Sequence, residues 1–379
     1  MNISPEKFYN VLEKEGVIFY TGVPDSLLKY FCFYVNDNVP EERHLIAANE
    51  GNAIAIAAGY NLGTGKIPVV YMQNSGLGNA VNPLLSLCDP EVYSIPMILL
   101  IGWRGCPGIP DEPQHIKQGK IQIGILETMG IPHCTISNND DQFEEKLKNG
   151  VNTAHTKNMP YAILVKKGSF NEYSPRSINK NISSLFREKA LEIILSRLPS
   201  DTIIISTTGK TSREVFEIRQ RNNSDHAFDF LTVGSMGHCS SIALGIAISR
   251  PSLKIICIDG DGSLIMHMGG LSTIGKIKPK NFFHILMNNE VHESVGGQST
   301  ASKNINMQAL AKANGYEKLF FAEDTNGLKN QFNNLILHNG PSFLEVKVEP
   351  GSRDDLGRPS LSPAENKELF VRSLRKENP

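Results

Sequence analysis

Short apolar segments alternate with longer helix-like segments along both halves of the chain. Each apolar segment has the length of a buried strand, and most are followed by Gly, Pro or polar residues that form turns. Helix-like stretches such as residues 52–62 and 141–157 lie between them. The predicted strands of the first half cover residues 17–21, 45–48, 68–73, 97–102 and 161–166. Those of the second half cover residues 202–206, 229–233, 254–258, 282–287, 318–322 and 342–348.

This alternation predicts an α/β fold with two doubly wound parallel sheets. Continuous apolar strands separated by helices are typical of parallel sheets that are covered by helices on both faces. A polar segment rich in turn-forming residues, 167–185, divides the two halves. We predict a first domain over residues 1–170, a linker over 171–184 and a second domain over 185–379, which ends in an amphipathic helix at 363–376.

Composition and charge exclude several classes of function. The 379-residue chain contains 38 Lys and Arg against 39 Asp and Glu, so it lacks the excess positive charge typical of proteins that bind nucleic acid or anionic membranes. No apolar run reaches the roughly 18 residues that span a bilayer, and the first residues lack the pattern of a signal peptide. We therefore expect a cytoplasmic protein. Its six cysteines form no C-x-x-C pair, which argues against a zinc site.

The clearest chemical signal follows two strands of the second half. The strand predicted at 254–258 leads into Asp259-Gly260-Asp261-Gly262-Ser263, and the strand at 282–287 leads into Asn288-Asn289-Glu290-Val291. The spacing leaves room for one helix between neighbouring parallel strands, whose carboxyl ends bind ligands in α/β sheets. Carboxylate, amide and carbonyl oxygens suit a Mg²⁺ ion that also binds a diphosphate. The glycines let the backbone approach the phosphates, and a helix beginning near Ser263 would point its N-terminus at them.

Gly-Asp-Gly followed, one helix and one strand later, by Asn-Asn resembles the signature of the thiamine-diphosphate enzymes. The resemblance implies two such domains, the first binding the pyrimidine ring of the cofactor and the second its diphosphate. It implies that Mg²⁺ is bound by the side chains of Asp261 and Asn289 and by the carbonyl oxygen of Val291. It also implies that the diphosphate lies against Gly260, Gly262 and Ser263.

Three other segments extend the resemblance. Glu50, in residues 47–53, matches the glutamate that hydrogen-bonds the aminopyrimidine ring and promotes loss of the C2 proton of the thiazolium. Residues 207–210 resemble the second diphosphate loop, with contacts from Gly209 and Lys210. They are not a Walker A motif, since Ile204 stands where a glycine is required. Residues 234–237 resemble the segment that holds the cofactor bent, with Met236 as the supporting side chain and the Gly234 carbonyl facing the aminopyrimidine.

Within this family the chain resembles the phosphonopyruvate decarboxylases. The resemblance lies in residues 22–28, 71–79, 111–115, 206–214 and 233–238. It implies a carboxy-lyase that converts 3-phosphonopyruvate to phosphonoacetaldehyde and CO2 in phosphonate biosynthesis, through an adduct at C2 of the thiazolium and an enamine. The chain is also similar to the sulfopyruvate decarboxylases. Like both groups, it has no room for the middle domain of pyruvate decarboxylase.

The resemblance also indicates acid–base and substrate-binding groups. Asp25 and His115 occupy positions where related decarboxylases keep acid–base groups. Val295 falls where pyruvate decarboxylases carry a catalytic Glu, so the proton donor in the last step stays open. Arginine suits a phosphonate dianion, and a lysine can replace it less specifically. The candidate substrate-binding residues are Ser26, Asn74, Ser75, Arg104, Lys117, His292, Arg353 and Arg358.

The resemblance further implies a homodimer or larger homo-oligomer, in which the first domain of one subunit and the second domain of another share each active site. A non-catalytic regulatory subunit is disfavoured because Glu50, Asp261 and Asn289 are all present, so two alternatives to the proposed activity remain at this point. One is the decarboxylation or carboligation of another 2-oxo acid, with sulfopyruvate the nearest case. The other is a nicotinamide-dependent oxidoreductase, which is disfavoured because Ile265 stands where a G-x-G-x-x-G motif would need glycine.

Overall fold

A computed structural model of the protein describes residues 2–176 and 183–376. The chain divides into two compact units, Met1–Ile178 and Asn179–Pro379. Six residues of the predicted linker, 177–182, lie outside the described residues. The predicted limits of the two domains and of the linker therefore stay predictions.

The first unit contains a six-stranded parallel sheet with the strand order β2-β1-β3-β4-β6-β5. Its strands are β1 (Tyr20–Gly22), β2 (His44–Ile46), β3 (Val69–Gln73), β4 (Ile98–Gly102), β5 (His133–Ile136) and β6 (Tyr161–Val165). Its helices are α1 (Pro5–Lys14), α2 (Lys29–Asn38), α3 (Glu50–Thr64), α4 (Leu77–Pro83), α5 (Pro113–Thr128) and α6 (Phe143–Lys157).

The second unit repeats this architecture with the strand order β11-β12-β10-β9-β7-β8, again all parallel. Its strands are β7 (Ile203–Ser206), β8 (Asp229–Leu231), β9 (Ile255–Gly260), β10 (Phe282–Asn288), β11 (Lys318–Ala322) and β12 (Ser342–Lys347). Its helices are α7 (Arg187–Leu195), α8 (Lys210–Arg221), α9 (Cys239–Ser249), α10 (Asp261–Met266), α11 (Gly270–Ile277), α12 (Met307–Ala313), α13 (Thr325–Leu337) and α14 (Pro363–Lys376).

Both sheets are buried on both faces. In β4, Ile98 and Leu100 pack into one apolar cluster, whereas Leu99 and Ile101 pack into a second cluster. Successive side chains of a strand point to opposite faces, so these two clusters lie on the two sides of the sheet. The second unit divides β9 in the same way between its two clusters. The predicted fold of two doubly wound parallel sheets is therefore confirmed.

Each strand predicted from the apolar segments is present, with ends that differ by a few residues, and the predicted terminal helix coincides with α14. The structure adds β5, which the apolar pattern did not predict. The six cysteines, all within the described ranges, carry free thiols. Among the described residues, no helix is both long and apolar enough to cross a membrane.

A buried histidine at the start of β2 should make the first unit sensitive to acid. His44 is 8% exposed, its Nε2 lies 2.9 Å from the Tyr71 hydroxyl, and burial lowers its pKa from 6.5 to about 4. The unfolded chain takes up a proton near pH 6.5 but the folded protein does not. Stability is therefore full above that pH and falls as the pH decreases toward 4, by about 2 kcal/mol at pH 5.

Replacing His44 by glutamine, which does not titrate, tests whether His44 makes the protein sensitive to acid. In the variant His44→Gln the amide can still bond to the Tyr71 hydroxyl, so the variant should lose less stability than the wild type between pH 7 and pH 5. The measurement is the thermal unfolding midpoint of both proteins at the two pH values. Equal decreases in the two proteins would show that His44 does not contribute to acid sensitivity.

Candidate active site

The carboxyl ends of β9 and β10 bring the two halves of the predicted metal motif together. The strands pair in parallel, with Met287 opposite Gly260, so the residues that follow them leave the same edge of the sheet. The Gly260-Asp261-Gly262 segment turns directly into α10, which begins at Asp261 rather than near Ser263. Asn289 follows β10, and Glu290 adopts a φ of 62°, which reverses the chain toward the sheet edge.

Thr300 bonds both to the segment after β9 and to the segment after β10. Its backbone N–H donates to the carbonyl oxygen of Glu290 at 2.9 Å, while its hydroxyl donates to the carboxylate of Asp261. Ser302 donates a second hydroxyl to Asp261 Oδ2 at 2.8 Å. Asp261 is 3% exposed, and burial raises the pKa of its carboxyl although these hydrogen bonds oppose the increase. Asp261 and the Asn289–Val291 turn are therefore fixed beside each other.

Both the nitrogen and the oxygen of the Asn289 side-chain amide form hydrogen bonds. Its Nδ2 donates to Glu293 Oε2 at 2.9 Å, and its Oδ1 accepts a bond from the backbone N–H of Val291 at 3.2 Å. Glu293 Oε1 also accepts a bond from Lys210 Nζ at 2.9 Å. Because Lys210 is the first residue of α8, this ion pair connects the predicted diphosphate loop after β7 to the turn after β10.

Met236 and His292 both lie close to Gly262, the second glycine of the Gly260-Asp261-Gly262 motif. A Cβ added at Gly262 would lie 3.2 Å from His292 Nδ1 and 3.4 Å from Met236 Cε. Such contacts are tight, so a side chain at this position would have to displace one of them. The structure thus brings the predicted supporting methionine and one candidate substrate residue to the Gly-Asp-Gly segment.

Side-chain hydroxyl groups form hydrogen bonds between the loops that follow β7, β8 and β9 at this sheet edge. Ser263 Oγ accepts bonds from Thr207 Oγ1 at 3.0 Å and from the backbone N–H of Gly237 at 3.1 Å. Thr208 Oγ1 accepts from the backbone N–H of Gly234 at 2.9 Å. Gly209 caps α8 with a φ of 96°, a conformation that favours glycine. The predicted cofactor residues of the second unit therefore share one sheet edge.

Three buried polar side chains, Asp259, His284 and Tyr316, lie next to this sheet edge and contact one another in sequence. The sequence motifs did not predict them. Asp259 accepts a bond from the backbone N–H of Gly260 at 2.9 Å and faces His284 Nε2 at 3.6 Å. The other nitrogen of His284 lies 3.0 Å from the Tyr316 hydroxyl. Burial disfavours a charged imidazole, but the surrounding acidic groups outweigh it and raise the pKa of His284 well above its usual value. These contacts fix the backbone that precedes Asp261.

In the first unit, Glu50 lies where α3 begins, just after β2. Its side chain is 5% exposed and accepts a hydrogen bond from Asn79 Nδ2 at 2.8 Å. Gly76 packs directly against it, so that a Cβ added at Gly76 would lie 2.2 Å from Glu50 Oε1. The position of this carboxylate therefore depends on the absence of a side chain at residue 76.

Alanine at residue 76 should displace Glu50 without straining the backbone, because Gly76 has a φ of −72°. We expect the variant Gly76→Ala to reduce kcat by about 100-fold, the order of loss that a displacement of about 1 Å can cause at a reacting centre. A methyl group at Gly78, two residues along, meets nothing within 4 Å. The matched control Gly78→Ala should retain wild-type kcat, and equal activity of the two variants would contradict the prediction.

Asp25 lies just beyond β1 and is fully buried. It accepts bonds from the backbone N–H of Leu27 and from Gln73 Nε2, each at 3.0 Å, and Gln73 in turn accepts from Ser75 Oγ at 2.7 Å. Burial raises the pKa of the Asp25 carboxyl, an effect that the bonds and Arg104 partly oppose. A carboxyl that gains a proton more readily than usual suits a role in acid–base catalysis.

Arg104, predicted to contact the substrate, is already paired. Its Nε donates to Asp111 Oδ2 at 2.8 Å, its Nη2 forms a second bond to Asp111, and its Nη1 donates to Ser26 Oγ at 2.9 Å. Asn74 accepts from the Arg104 backbone N–H and donates to its carbonyl oxygen. Asp111 thus neutralises this cation, and Asn74 holds its backbone in place.

His115 and Lys117 lie on α5 but differ in environment. His115 is 8% exposed, and burial, with the nearby Arg104, lowers its pKa to about 4. Its imidazole is therefore neutral near pH 7, and its Nδ1 has no hydrogen-bond partner among the described residues. Such a group can accept a proton. Lys117 is exposed on the same helix.

Arg353 and Arg358 lie in the C-terminal segment between β12 and α14. Arg353 is paired with Glu188, Glu217 and Asp355, which fastens this segment to α7 and α8. Arg358 is exposed in the same segment. The cation of Arg353 is therefore paired with carboxylates of its own unit.

The residues after β9 and β10 fit a Mg²⁺ ion in the chemistry of their donor atoms. A buried carboxylate, an amide oxygen and a main-chain carbonyl are hard oxygen ligands of the type that Mg²⁺ selects, and Mg²⁺ keeps other positions for phosphate oxygens and water. The Gly209-Lys210 loop at the same sheet edge supplies backbone without a side chain at Gly209, and a cation, for the phosphates. Asp261, Asn289 and Val291 would hold the metal, and this loop would hold the diphosphate.

Comparison with known proteins assigns both units. The sequence profile of the N-terminal TPP binding domain of thiamine pyrophosphate enzymes matches residues 5–124, and that of the C-terminal TPP binding domain matches residues 207–346. Thiamine pyrophosphate, or TPP, is another name for thiamine diphosphate. The first match lies within the first parallel-sheet unit and the second match lies within the second unit.

Full-length relatives extend this match over most of the chain. Phosphonopyruvate decarboxylase of Streptomyces viridochromogenes is 35% identical over 365 residues, which cover 92% of this chain and 89% of that protein. Phosphonopyruvate decarboxylase of Streptomyces hygroscopicus is 32% identical over 92% of this chain and 88% of its own length. Sulfopyruvate decarboxylase of Methanosarcina acetivorans is 28% identical and covers 97% of both chains. The chain therefore belongs to the thiamine pyrophosphate enzyme family and groups within it with the phosphonopyruvate decarboxylases.

Proposed function

We propose that this chain decarboxylates 3-phosphonopyruvate to phosphonoacetaldehyde and CO2 with bound thiamine diphosphate and Mg²⁺, a reaction of phosphonate biosynthesis. One observation supports the cofactor site above all others: Thr300 bonds to Asp261 and to the Glu290 backbone at once, so the two metal-binding segments adjoin. The substrate follows from the relatives named phosphonopyruvate decarboxylase, which match this chain at 32% and 35% identity.

The residues of the two units divide the chemistry between them. Bound thiamine diphosphate supplies a nucleophilic carbon and an electron sink for decarboxylation. Glu50 would exchange a proton with the aminopyrimidine ring, while Asp25 and His115 would move protons to and from the substrate. Asp261, Asn289 and Val291 would bind Mg²⁺, and Lys210 would neutralise the diphosphate. Met236 and the Gly234 carbonyl would set the shape of the bound cofactor.

The substrate-binding residues stay predictions. A phosphonate dianion requires cationic or hydroxyl donors, and Arg104 and Ser26 form one connected pair of such groups beside Asp25. Ser75, Asn74, Lys117, His292, Arg353 and Arg358 remain the other candidates. A cytoplasmic location and the absence of nucleic-acid and membrane partners also stay predictions of the sequence.

Formation of aldehyde from 3-phosphonopyruvate tests the proposed activity. The purified protein is assayed with thiamine diphosphate and Mg²⁺ present and then with each withheld, and sulfopyruvate and pyruvate are assayed in parallel. We expect turnover of 3-phosphonopyruvate that requires both additions and is much faster than turnover of the other two acids. Absence of cofactor-dependent turnover of any of the three would overturn the proposal.

Sulfopyruvate is the second candidate substrate, because a relative with that activity in its name matches almost the whole chain. The sulfonate group is a monoanion where the phosphonate carries up to two charges, and their shapes are close. Turnover of sulfopyruvate alone would retain the cofactor site and change only the substrate.

We further propose that the protein is a homodimer or larger homo-oligomer whose active sites are shared between subunits. The proposal rests on the resemblance to the family. Mixing Glu50→Gln subunits with Asp261→Ala subunits, under conditions that allow exchange, should restore activity that neither variant has alone. Mixtures that form by mass measurement but stay inactive would contradict shared sites.

A further inference from the structure

A chain of charged side chains links α7 to both metal-binding and diphosphate-binding segments of the proposed site. It begins with Arg187, the first residue of α7, which is 5% exposed. Its Nε and Nη2 donate to the two carboxylate oxygens of Glu214 at 2.7 and 2.8 Å. Its Nη1 donates to Glu293 Oε2 at 2.7 Å. The Arg187 guanidinium thus bridges two carboxylates, and its directional hydrogen bonds fix the positions of Glu214 and Glu293.

Glu293 is the branch point of this chain. Besides Arg187, it accepts one hydrogen bond from Lys210 Nζ and one from Asn289 Nδ2, each at 2.9 Å. Arg187 Nη2 also approaches Glu293 Oε1 at 3.4 Å, so each carboxylate oxygen faces two N–H donors. Because Arg187, Lys210 and Asn289 all direct N–H groups at its two oxygens, Glu293 acts as an acceptor in this arrangement.

Because Glu293 is an acceptor, it determines which atom of the Asn289 amide points away from Glu293. An amide group presents oxygen on one side and NH2 on the other, and only the oxygen can bind a cation. Because Glu293 can accept but not donate, the NH2 group turns toward Glu293. The Oδ1 atom then faces the other side, where it accepts a hydrogen bond from the backbone N–H of Val291.

From this geometry we propose that Glu293 is a positioning residue, which orients the amide of Asn289 for Mg²⁺ and holds Lys210 for the diphosphate, and that Arg187 anchors Glu293. The inference rests on the proposed function, in which Asn289 and Lys210 contact the metal and the cofactor. Glu293 itself need not touch substrate, cofactor or metal. Glu214 completes the arrangement by fixing the guanidinium of Arg187 from its other side.

Binding of Mg²⁺ at a fixed excess of thiamine diphosphate tests the proposal by calorimetry. The variant Glu293→Gln keeps the size of the side chain but can both donate and accept, so it no longer selects one orientation of Asn289. We expect the Kd for Mg²⁺ to rise by about 10- to 100-fold, the usual loss when a residue that orients a metal ligand is replaced. A Kd within about twofold of the wild type would overturn the proposal.

A second substitution distinguishes orientation from a general loss of structure. Aspartate at residue 289 offers an oxygen whichever way it turns, and in the Glu293→Gln background it restores the original net charge. The double variant Asn289→Asp, Glu293→Gln should therefore recover most of the Mg²⁺ affinity. If the double variant binds Mg²⁺ as weakly as Glu293→Gln alone, the orienting role is wrong.

The anchoring role of Arg187 has its own test. Arg187→Met should weaken Mg²⁺ binding, and adding Glu293→Gln to it should have little further effect, because the two act through one contact. Fully additive losses would overturn the anchoring step. If Arg187→Met fails to fold, Arg187→Lys, which keeps the charge but not the forked contact, replaces it in the same comparison.

A neighbouring pair of residues provides the matched control. Glu345 Oε1 accepts a hydrogen bond from Asn288 Nδ2 at 2.8 Å, one residue before Asn289, and the Glu345 side chain is 7% exposed, against 11% for Glu293. Glu345→Gln should leave the Kd for Mg²⁺ unchanged. Asp261→Asn separates the two hypotheses: if it abolishes Mg²⁺ binding while Glu293→Gln has no effect, only the positioning role fails. If neither substitution weakens binding, the proposed metal site itself is wrong.

Discussion

Replacing Glu50 by glutamine is expected to lower the rate of decarboxylation by about 100- to 10,000-fold, the range typical of a lost general acid–base group. Glutamine has nearly the same shape and still offers an oxygen to Asn79 Nδ2, so the hydrogen bond at 2.8 Å can persist. It cannot exchange a proton with the aminopyrimidine ring. The loss should therefore appear in kcat rather than in binding of the cofactor.

Two measurements separate this effect from misfolding. Exchange of the C2 hydrogen of bound thiamine diphosphate with deuterated solvent should slow in Glu50→Gln, while the thermal midpoint changes little. Glu13→Gln is the matched control, since Glu13 bonds to the Tyr9 hydroxyl on the surface of the same unit. Wild-type exchange at C2 in Glu50→Gln would show that this carboxylate is not the proton-transfer group.

Much of the fold could be predicted because buried parallel strands need apolar residues on both faces. β4 and β9 have such uninterrupted apolar runs, and both were predicted close to their observed limits. β5, His133-Cys134-Thr135-Ile136, lies at the edge of its sheet and keeps three of its four residues partly exposed. A strand with one covered face does not require a continuous apolar run, so the pattern gave no signal there.

The site could be predicted where the chemistry depends on local segments that follow strands. Asp261 and Asn289 belong to this class, because the ends of adjacent parallel strands converge and the motif alone defines them. Glu50 required the resemblance to the family as well, since a glutamate at the start of a helix is common. Asp261 and Asn289 follow the neighbouring strands β9 and β10, and Glu50 begins α3 after β2 in the first unit.

Long-range pairing of side chains could not be predicted from the sequence. Arg187 and Glu293 are separated by 106 positions, and Thr300 bonds to Asp261 across 39 positions. Nothing in the residue types around them specifies these partners. For the same reason, Arg104 and Arg353 were expected to be available to a phosphonate, whereas the fold pairs them with Asp111 and with Glu188 and Glu217.

Replacing Asp261 by asparagine should abolish Mg²⁺-dependent binding of thiamine diphosphate, with a loss of affinity greater than the ~10–100-fold typical of residues outside the metal's own ligands. The substitution removes the anionic ligand but keeps an oxygen that can accept from Thr300 and Ser302. The apo protein should therefore stay folded. Calorimetric titration of thiamine diphosphate, with and without Mg²⁺, measures the loss.

The control must be a buried carboxylate of the same unit that lies away from the site. Asp229 begins β8, is fully buried and pairs with Arg219 through two bonds of 3.0 Å. Asp229→Asn leaves that guanidinium without its charged partner, so it should lower the thermal midpoint more than Asp261→Asn does. It should not change the affinity for the cofactor. Stability and cofactor binding would then respond to different carboxylates, whereas loss of binding in both variants would mean that Asp261 acts through the fold rather than as a metal ligand.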